Sequence, residues 1–252
     1  MITWLRGTAR LCCVLVWLLL GLFFVTVIFP VMGPVVRGAM VRHWSRLLMR
    51  GFGVAVIPRG EAVLSGPVLT VANHVSWIDV FVLNSVRATC FIAKHEIRRW
   101  PVIGWLVAGA GAVFIKRGQR HAVREVGEDM RRRFEQGEAV GLFPESTTSE
   151  GRELLPFHAS LFAPACDHAA VVVQPVALRF LRHGKRSDYA AFVGEESLAV
   201  NVWRVLGASG LSVEAVYLPP LPTCDADGQA HTRQSLARAA YAVIAQALDE
   251  CG

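Results

Sequence analysis

The chain has 252 residues, 53% of them hydrophobic and 18% charged, against about a quarter charged in an average soluble domain. That much apolar surface excludes disorder, and the length fits one large domain or two small ones. The net charge of +6 comes without a long basic run interleaved with aromatics, so no nucleic-acid partner is expected.

The apolar excess is concentrated at the start. No charged residue occurs from Leu11 to Val36. As a helix, Leu11–Phe29 measures about 28 Å, close to the hydrocarbon thickness of a bilayer. A cleaved signal peptide has a shorter apolar core, about 7–15 residues, and a small-residue cleavage site. Here the run is longer and ends in Pro30-Val-Met-Gly33-Pro34, which predicts a retained membrane segment. Val35–Arg50 then reads as an amphipathic helix, with Val36, Met40, Trp44 and Leu47 on one face and Arg42, Arg46 and Arg50 opposite. Such a helix either lies in the headgroup layer, with Arg toward lipid phosphate, or packs its apolar face on its own domain. Four arginines follow the apolar run (37, 42, 46, 50) and two precede it (6, 10), which favours the cytoplasm for the later side.

The remainder alternates strand and helix signals. Apolar, β-branched runs predict strands at 54–57, 68–72, 89–93, 112–116, 139–143, 171–178 and 211–217. Helical patterns fit 77–86, 97–108, 119–136, 156–168, 197–206 and 232–248. The alternation predicts an α/β sheet covered by helices. We divide the chain into an anchor with its amphipathic helix, residues 1–50, and an α/β domain, residues 51–252. The basic residues other than Lys94, Lys116 and Lys185 are all Arg, whose planar fork suits phosphate and carboxylate. Cys12, Cys13, Cys90, Cys166, Cys224 and Cys251 form no CxxC pair, and read as small hydrophobes in a reducing compartment.

Chemistry concentrates at Pro67-Val-Leu-Thr-Val-Ala-Asn73-His74-Val-Ser-Trp-Ile-Asp79. A short apolar strand runs straight into Asn-His. Five residues is not a same-face helical spacing. His74 is therefore expected in the turn after the strand and Asp79 in the following helix. From there the carboxylate reaches back to one imidazole nitrogen, fixes the tautomer and stabilises the imidazolium. Such a dyad, without its own nucleophile, suits deprotonation of a substrate hydroxyl.

Asn73-His74-x4-Asp79 resembles the first block of the glycerolipid acyltransferases. Phe91-Ile-Ala-Lys94-His-Glu96, with Pro101 and Gly104, resembles the family's connecting segment. Gly111-Ala-Val-Phe114-Ile115-Lys-Arg117 is similar to its second block, Phe143-Pro144-Glu145-Ser146-Thr147-Thr148 to its third (normally F-P-E-G-T-R), and Val172-Val-Gln-Pro175-Val-Ala to its fourth. The resemblance covers roughly residues 67–180 and implies a mixed sheet behind an N-terminal membrane helix. It implies acyl transfer from acyl-CoA or acyl carrier protein to a lysolipid hydroxyl, with His74 as general base and Asp79 as its orienting partner. Arg117 would hold the acceptor phosphate. Asn73, Glu145, Ser146, Thr147 and Pro175 would line or organise the substrate site. No cofactor and no metal are implied. The family reading places the protein in the cytoplasmic (inner) membrane with the catalytic domain facing the cytoplasm.

Two departures lie in the third block. Ser146 stands where the family has Gly, and a backbone needing φ > 0 there accommodates Ser less readily. Thr148 stands where the family has Arg, a second candidate phosphate ligand; Arg152 is a possible substitute. The expected acceptor is 1-acylglycerol-3-phosphate, giving phosphatidic acid. The alternative is a lyso-ornithine lipid, whose acyltransferases have Thr-rich third blocks followed by a segment like Leu155-Pro-Phe157. A non-catalytic lipid-binding protein of the same fold is a third reading, opposed by the intact His74–Asp79 pair. A serine hydrolase is disfavoured because the chain has no G-x-S-x-G. The spacing of His158, Cys166 and His168 matches no zinc pattern.

Overall fold

A computed structural model describes residues 2–100, 103–109, 111–115, 120–225 and 227–250. Helix α1 (Ile2–Phe23) continues through a π-helical turn (Phe24–Ile28) and a 3-10 turn (Phe29–Val31). Helix α2 (Pro34–Phe52) opens on Pro34, where a missing N–H is harmless. It closes at Gly53, whose N–H donates to the carbonyls of Met49 and Arg50 at a φ of 73°, a conformation that glycine adopts without Cβ strain.

Strands β1 (Val54–Gly60), β2 (Val68–Ala72), β3 (Cys90–Lys94), β4 (Val113–Ile115), β5 (Ala139–Leu142), β6 (Val172–Arg182), β7 (Lys185–Arg186), β8 (Leu211–Tyr217) and β9 (Leu221–Pro222) form one sheet. Its order is β1-β8-β6-β2-β5-β3-β4, with β7 and β9 also paired to β6. β6, β2, β5, β3 and β4 run parallel. β8 is antiparallel to β6 and parallel to β1, so the sheet is mixed, as expected. Helices α3 (Asp79–Asn84), α4 (Ile103–Gly109), α5 (Arg120–Glu135), α6 (Ala163–Cys166), α7 (Leu198–Gly207) and α8 (Arg233–Asp249) complete the fold.

Successive strand residues serve opposite faces. Leu69, Val71 and Val140 join Met130 and Phe134 of α5 and Ile244 of α8 in one core. Ala72, Val176 and Leu178 join Leu48 and Met49 of α2, Val82 of α3 and Leu206 of α7 in the other. With both faces covered, β2 is buried at every position, and its VLTVA reads as an almost continuous apolar run. Truncating Leu69, fully buried, to Ala is expected to cost about 2–5 kcal/mol. Parallel pairing also brings the C-terminal ends of β2, β5, β3 and β4 to one edge, where ligands bind in open parallel sheets.

α1 and α2 fold back on each other as a hairpin. Nε1 of Trp17 donates to the Trp44 carbonyl at 3.2 Å, and Nε1 of Trp44 to the Trp17 carbonyl at 3.4 Å. A Cβ on Gly21 would stand 2.7 Å from the Trp44 nitrogen, so a glycine there permits the close approach. The N-terminal part of α1 is fixed to α7. Arg6 donates to the Gly207 carbonyl at 3.3 Å, and Arg10 to those of Leu206 and Ala208 at 3.0 and 2.7 Å. These carbonyls sit at the negative end of the α7 dipole. Leu15, Leu19, Phe23, Val27, Val31 and Val35 remain exposed along the hairpin.

Three local differences from expectation have physical reasons. The buried stripe of α2 is Ser45, Leu48, Met49 and Phe52, one position on from the expected face, and Arg46 donates to the Ser85 carbonyl at 2.6 Å. The second half of α2 therefore packs on the domain instead of facing lipid. Val14, Leu48, Met49 and Phe52 share a core with Ala72 and Val176. The helix expected over 97–108 is a 3-10 turn (His95–Arg99) followed by α4, with Pro101 between them in sequence. The one expected over 156–168 is a 3-10 turn (Ala159–Phe162) and α6, which has Pro164 in its first turn.

Candidate active site

β2 ends at Ala72, and Asn73 continues its pairing by other means. The Asn73 amide donates to the Leu178 carbonyl at 3.1 Å and accepts from the Leu178 N–H at 2.7 Å. The side chain thus replaces a peptide unit in the ladder with β6. Expected at the substrate, Asn73 is buried and ties the end of β2 to β6 through both ends of its amide.

His74 follows in the turn and Asp79 opens α3, as the spacing predicts. Nδ1 of His74 lies 2.8 Å from Oδ2 of Asp79. The same oxygen accepts the N–H groups of Val75 at 2.7 Å and Ser76 at 3.0 Å. Asp79 is fully buried, whereas the His74 side chain retains 20% exposure. With Nδ1 protonated toward Asp79, Nε2 is left as a proton acceptor. Oδ1 of Asp79 and Oγ of Ser76 are buried without a protein partner.

The segment after β5 closes over this turn. Oε1 of Glu145 accepts the His74 N–H at 2.6 Å, and Oε2 accepts the Leu155 N–H at 2.9 Å. Burial pushes the Glu145 carboxyl above its ordinary range, while the two N–H donors pull the other way. Ser149 N–H donates to the His74 carbonyl at 2.8 Å, and Phe192 N–H to that of Val75 at 2.9 Å. The peptide units around His74 are thus held on both sides. Glu145 was expected at the acceptor; in the structure it braces the backbone of His74. The ring of Phe143 stacks on the imidazole, centroids 4.0 Å apart and planes 10° from parallel.

Ser146 adopts a φ of 58°, so the position where the family has Gly does require the left-handed region. Thr147 is exposed beside it. Thr148 donates its hydroxyl to the Phe192 carbonyl. Arg152, the possible phosphate ligand, pairs with Asp188 at 2.5 Å. Pro175 is buried within β6 opposite Val71, inside the sheet and three positions short of His74 in the β2 register. Its missing N–H falls where β6 changes partner from β9 to β8, and its carbonyl accepts from Leu218 at 3.0 Å. Pro175 therefore does not join the His74 cluster. Arg117 lies outside the described residues, two positions past the end of β4.

In the sequence Phe143 and Leu155 stand within motifs that give neither of them a role at His74, and Ser149 and Phe192 stand in none. The first was visible as the residue two before Glu145. The others act through backbone groups, which leave no side-chain signal.

The profile of the Acyltransferase family matches residues 53–179. A lyso-ornithine lipid O-acyltransferase of Pseudomonas aeruginosa is 36% identical over 212 residues, covering 84% of this chain and 79% of the relative. A 1-acyl-sn-glycerol-3-phosphate acyltransferase of Neisseria gonorrhoeae is 34% identical over 183 residues, covering 72% and 71%. Among solved structures, the 1-acyl-sn-glycerophosphate acyltransferase PlsC of Thermotoga maritima superposes with a TM-score of 0.62 over 96% of this chain and 97% of that one, at 19% identity. That likeness establishes the shared fold.

Proposed function

Because the chain belongs to the Acyltransferase family, we propose that His74 is the general base of an acyl transfer to the free hydroxyl of a lysolipid. The observation that carries this reading is the 2.8 Å contact between Nδ1 of His74 and the buried Asp79, at the C-terminal edge of the parallel strands. Nε2 takes the hydroxyl proton while the oxygen attacks the thioester carbonyl carbon. The carbon–sulfur bond breaks, and the departing thiolate takes the proton from the imidazolium. Asp79 stabilises that cation throughout the step. Acyl-CoA or acyl carrier protein supplies the thioester, and the chemistry uses no cofactor.

The first reading of the acceptor is 1-acylglycerol-3-phosphate, held by Arg117 and giving phosphatidic acid, the activity named for the Neisseria relative. A specific observation favours a second reading, a lyso-ornithine lipid. Thr148 occupies the place of the family's arginine and turns its hydroxyl to the Phe192 carbonyl, while Arg152 is paired with Asp188.

Membrane attachment is proposed through the hairpin. Within Ile2–Val31, an 18-residue window has a mean hydropathy of 2.9, and 11% of that window is buried. α2 returns alongside α1 carrying Arg37, Arg42, Arg46 and Arg50, and an arginine at the centre of the hydrocarbon costs about 2.5–3.5 kcal/mol or more. The hairpin therefore enters one leaflet and leaves by the same face, which keeps the catalytic domain on the cytoplasmic side of the inner membrane. Exposed Trp100 and Trp105 suit the same interface.

The test is labelled acyl transfer by the full chain in anionic vesicles, with each donor and each acceptor, for wild type and Thr148→Arg. Transfer to at least one lysolipid is expected. A wild type that prefers 1-acylglycerol-3-phosphate supports the first acceptor. A wild type that prefers lyso-ornithine lipid, with Thr148→Arg shifted toward the phosphate, supports the second. Transfer to neither contradicts the function.

A further inference from the structure

We propose that Phe143 is a positioning residue for the reaction, setting the plane of the His74 ring; this rests on His74 acting as the base. A single hydrogen bond at Nδ1 fixes one ring atom and leaves the imidazole free to tilt about that contact. The direction of Nε2 then varies, and a proton transfer needs it aimed at the acceptor oxygen. The face of Phe143, 4.0 Å away and 10° from parallel, removes the tilt.

Phe143 is itself held. The ring of Phe91 lies at 5.5 Å and 12°, so three rings form one stack ending at the imidazole. Phe91 is buried at the end of the stack, over Gly141 of β5. A Cβ at Gly141 would stand 2.3 Å from the Phe91 ring, so the absence of a side chain at 141 makes room for the stack. The ordering therefore runs from the floor of the sheet to the base. The arrangement also has an electrostatic sense. The face of a phenyl ring carries the negative end of its quadrupole and attracts a cation. His74 becomes a cation only when it has taken the proton, so the stack favours the form present after proton transfer begins. Phe143 touches neither the thioester nor the hydroxyl in this scheme; it acts through His74.

The test compares Phe143→Leu, Phe143→Tyr and His74→Ala in the full chain. Phe143→Leu keeps an apolar side chain but removes the flat face. It is expected to lower kcat about 10- to 100-fold with little change in KM for the lysolipid. Its solvent deuterium isotope effect on kcat is expected to rise, because a misaimed proton transfer becomes rate-limiting. Phe143→Tyr restores the face and is expected to recover kcat to within about threefold of wild type. In NMR spectra, the His74 ring protons should lose their upfield ring-current shift in the Leu variant and keep it in the Tyr variant. Wild-type kcat and isotope effect in Phe143→Leu, with His74→Ala inactive, overturn the proposal and leave the base assignment standing. A rise in KM alone also overturns it, by showing a role in binding. An active His74→Ala overturns the base assignment itself.

Discussion

Asp79 holds His74 twice: Oδ2 lies 2.8 Å from the imidazole Nδ1, and accepts the N–H groups of Val75 and Ser76, the two residues after His74, at 2.7 and 3.0 Å. One oxygen thus orients the ring and shapes the turn that presents it. Asp79→Asn supplies an amide in place of the carboxylate. If its oxygen stays with the backbone donors, it no longer stabilises an imidazolium or fixes the tautomer. The expected result is a fall in kcat of about 10²- to 10⁴-fold, with KM for the lysolipid nearly unchanged. Steady-state kinetics across lysolipid concentration measure it.

Ser146 sits at a φ of 58° in the segment whose Glu145 braces the backbone of His74. Left-handed backbone costs a residue with a Cβ about 1–2 kcal/mol, partly offset by the greater freedom glycine has when unfolded. Ser146→Gly is therefore expected to stabilise the fold by about 0.5–1 kcal/mol. Urea unfolding should show a higher midpoint at unchanged slope. A lower midpoint would mean that the Ser146 side chain contributes more than its backbone strain costs.

Phe23, Val27 and Val31 are exposed on the hairpin, away from the packed Trp17–Trp44 contact. Replacing all three with Glu leaves that contact in place and puts charges where hydrocarbon is proposed. An acidic side chain at that depth costs roughly 2.5–3.5 kcal/mol. Sedimentation with anionic vesicles at high salt should show the variant released and the wild type bound. Equal binding of both would locate the membrane contact elsewhere. The variant is a cleaner probe than removing residues 1–34, which would also take Val14 from the core shared with Ala72.

β2 and β5 were legible because they are buried on both faces and stand out as apolar runs, and β8 because its LSVEAVY alternates in step with its burial, each within a residue or so of its ends. The His74–Asp79 contact was legible too, since a five-residue offset across a strand–turn–helix leaves few other arrangements. The hairpin was not, because its cohesion lies in indole-to-carbonyl bonds and in Gly21, none of which alters the hydropathy pattern. Nor were the tasks of Asn73 and Glu145. A polar residue beside a catalytic histidine reads as a substrate ligand, yet both spend their hydrogen bonds on backbone groups that only the folded chain brings near. The same holds for Pro175, whose place between β9 and β8 depends on pairing partners some forty residues later in the sequence.

The base assignment is tested most directly by the rate of labelled acyl transfer from acyl-CoA or acyl carrier protein to lysolipid, catalysed by purified His74→Ala in vesicles beside the wild type. Circular dichroism confirms that the variant is folded. The account predicts a loss of about 10²- to 10⁴-fold in kcat. A folded His74→Ala that transfers acyl groups at the wild-type rate would contradict it.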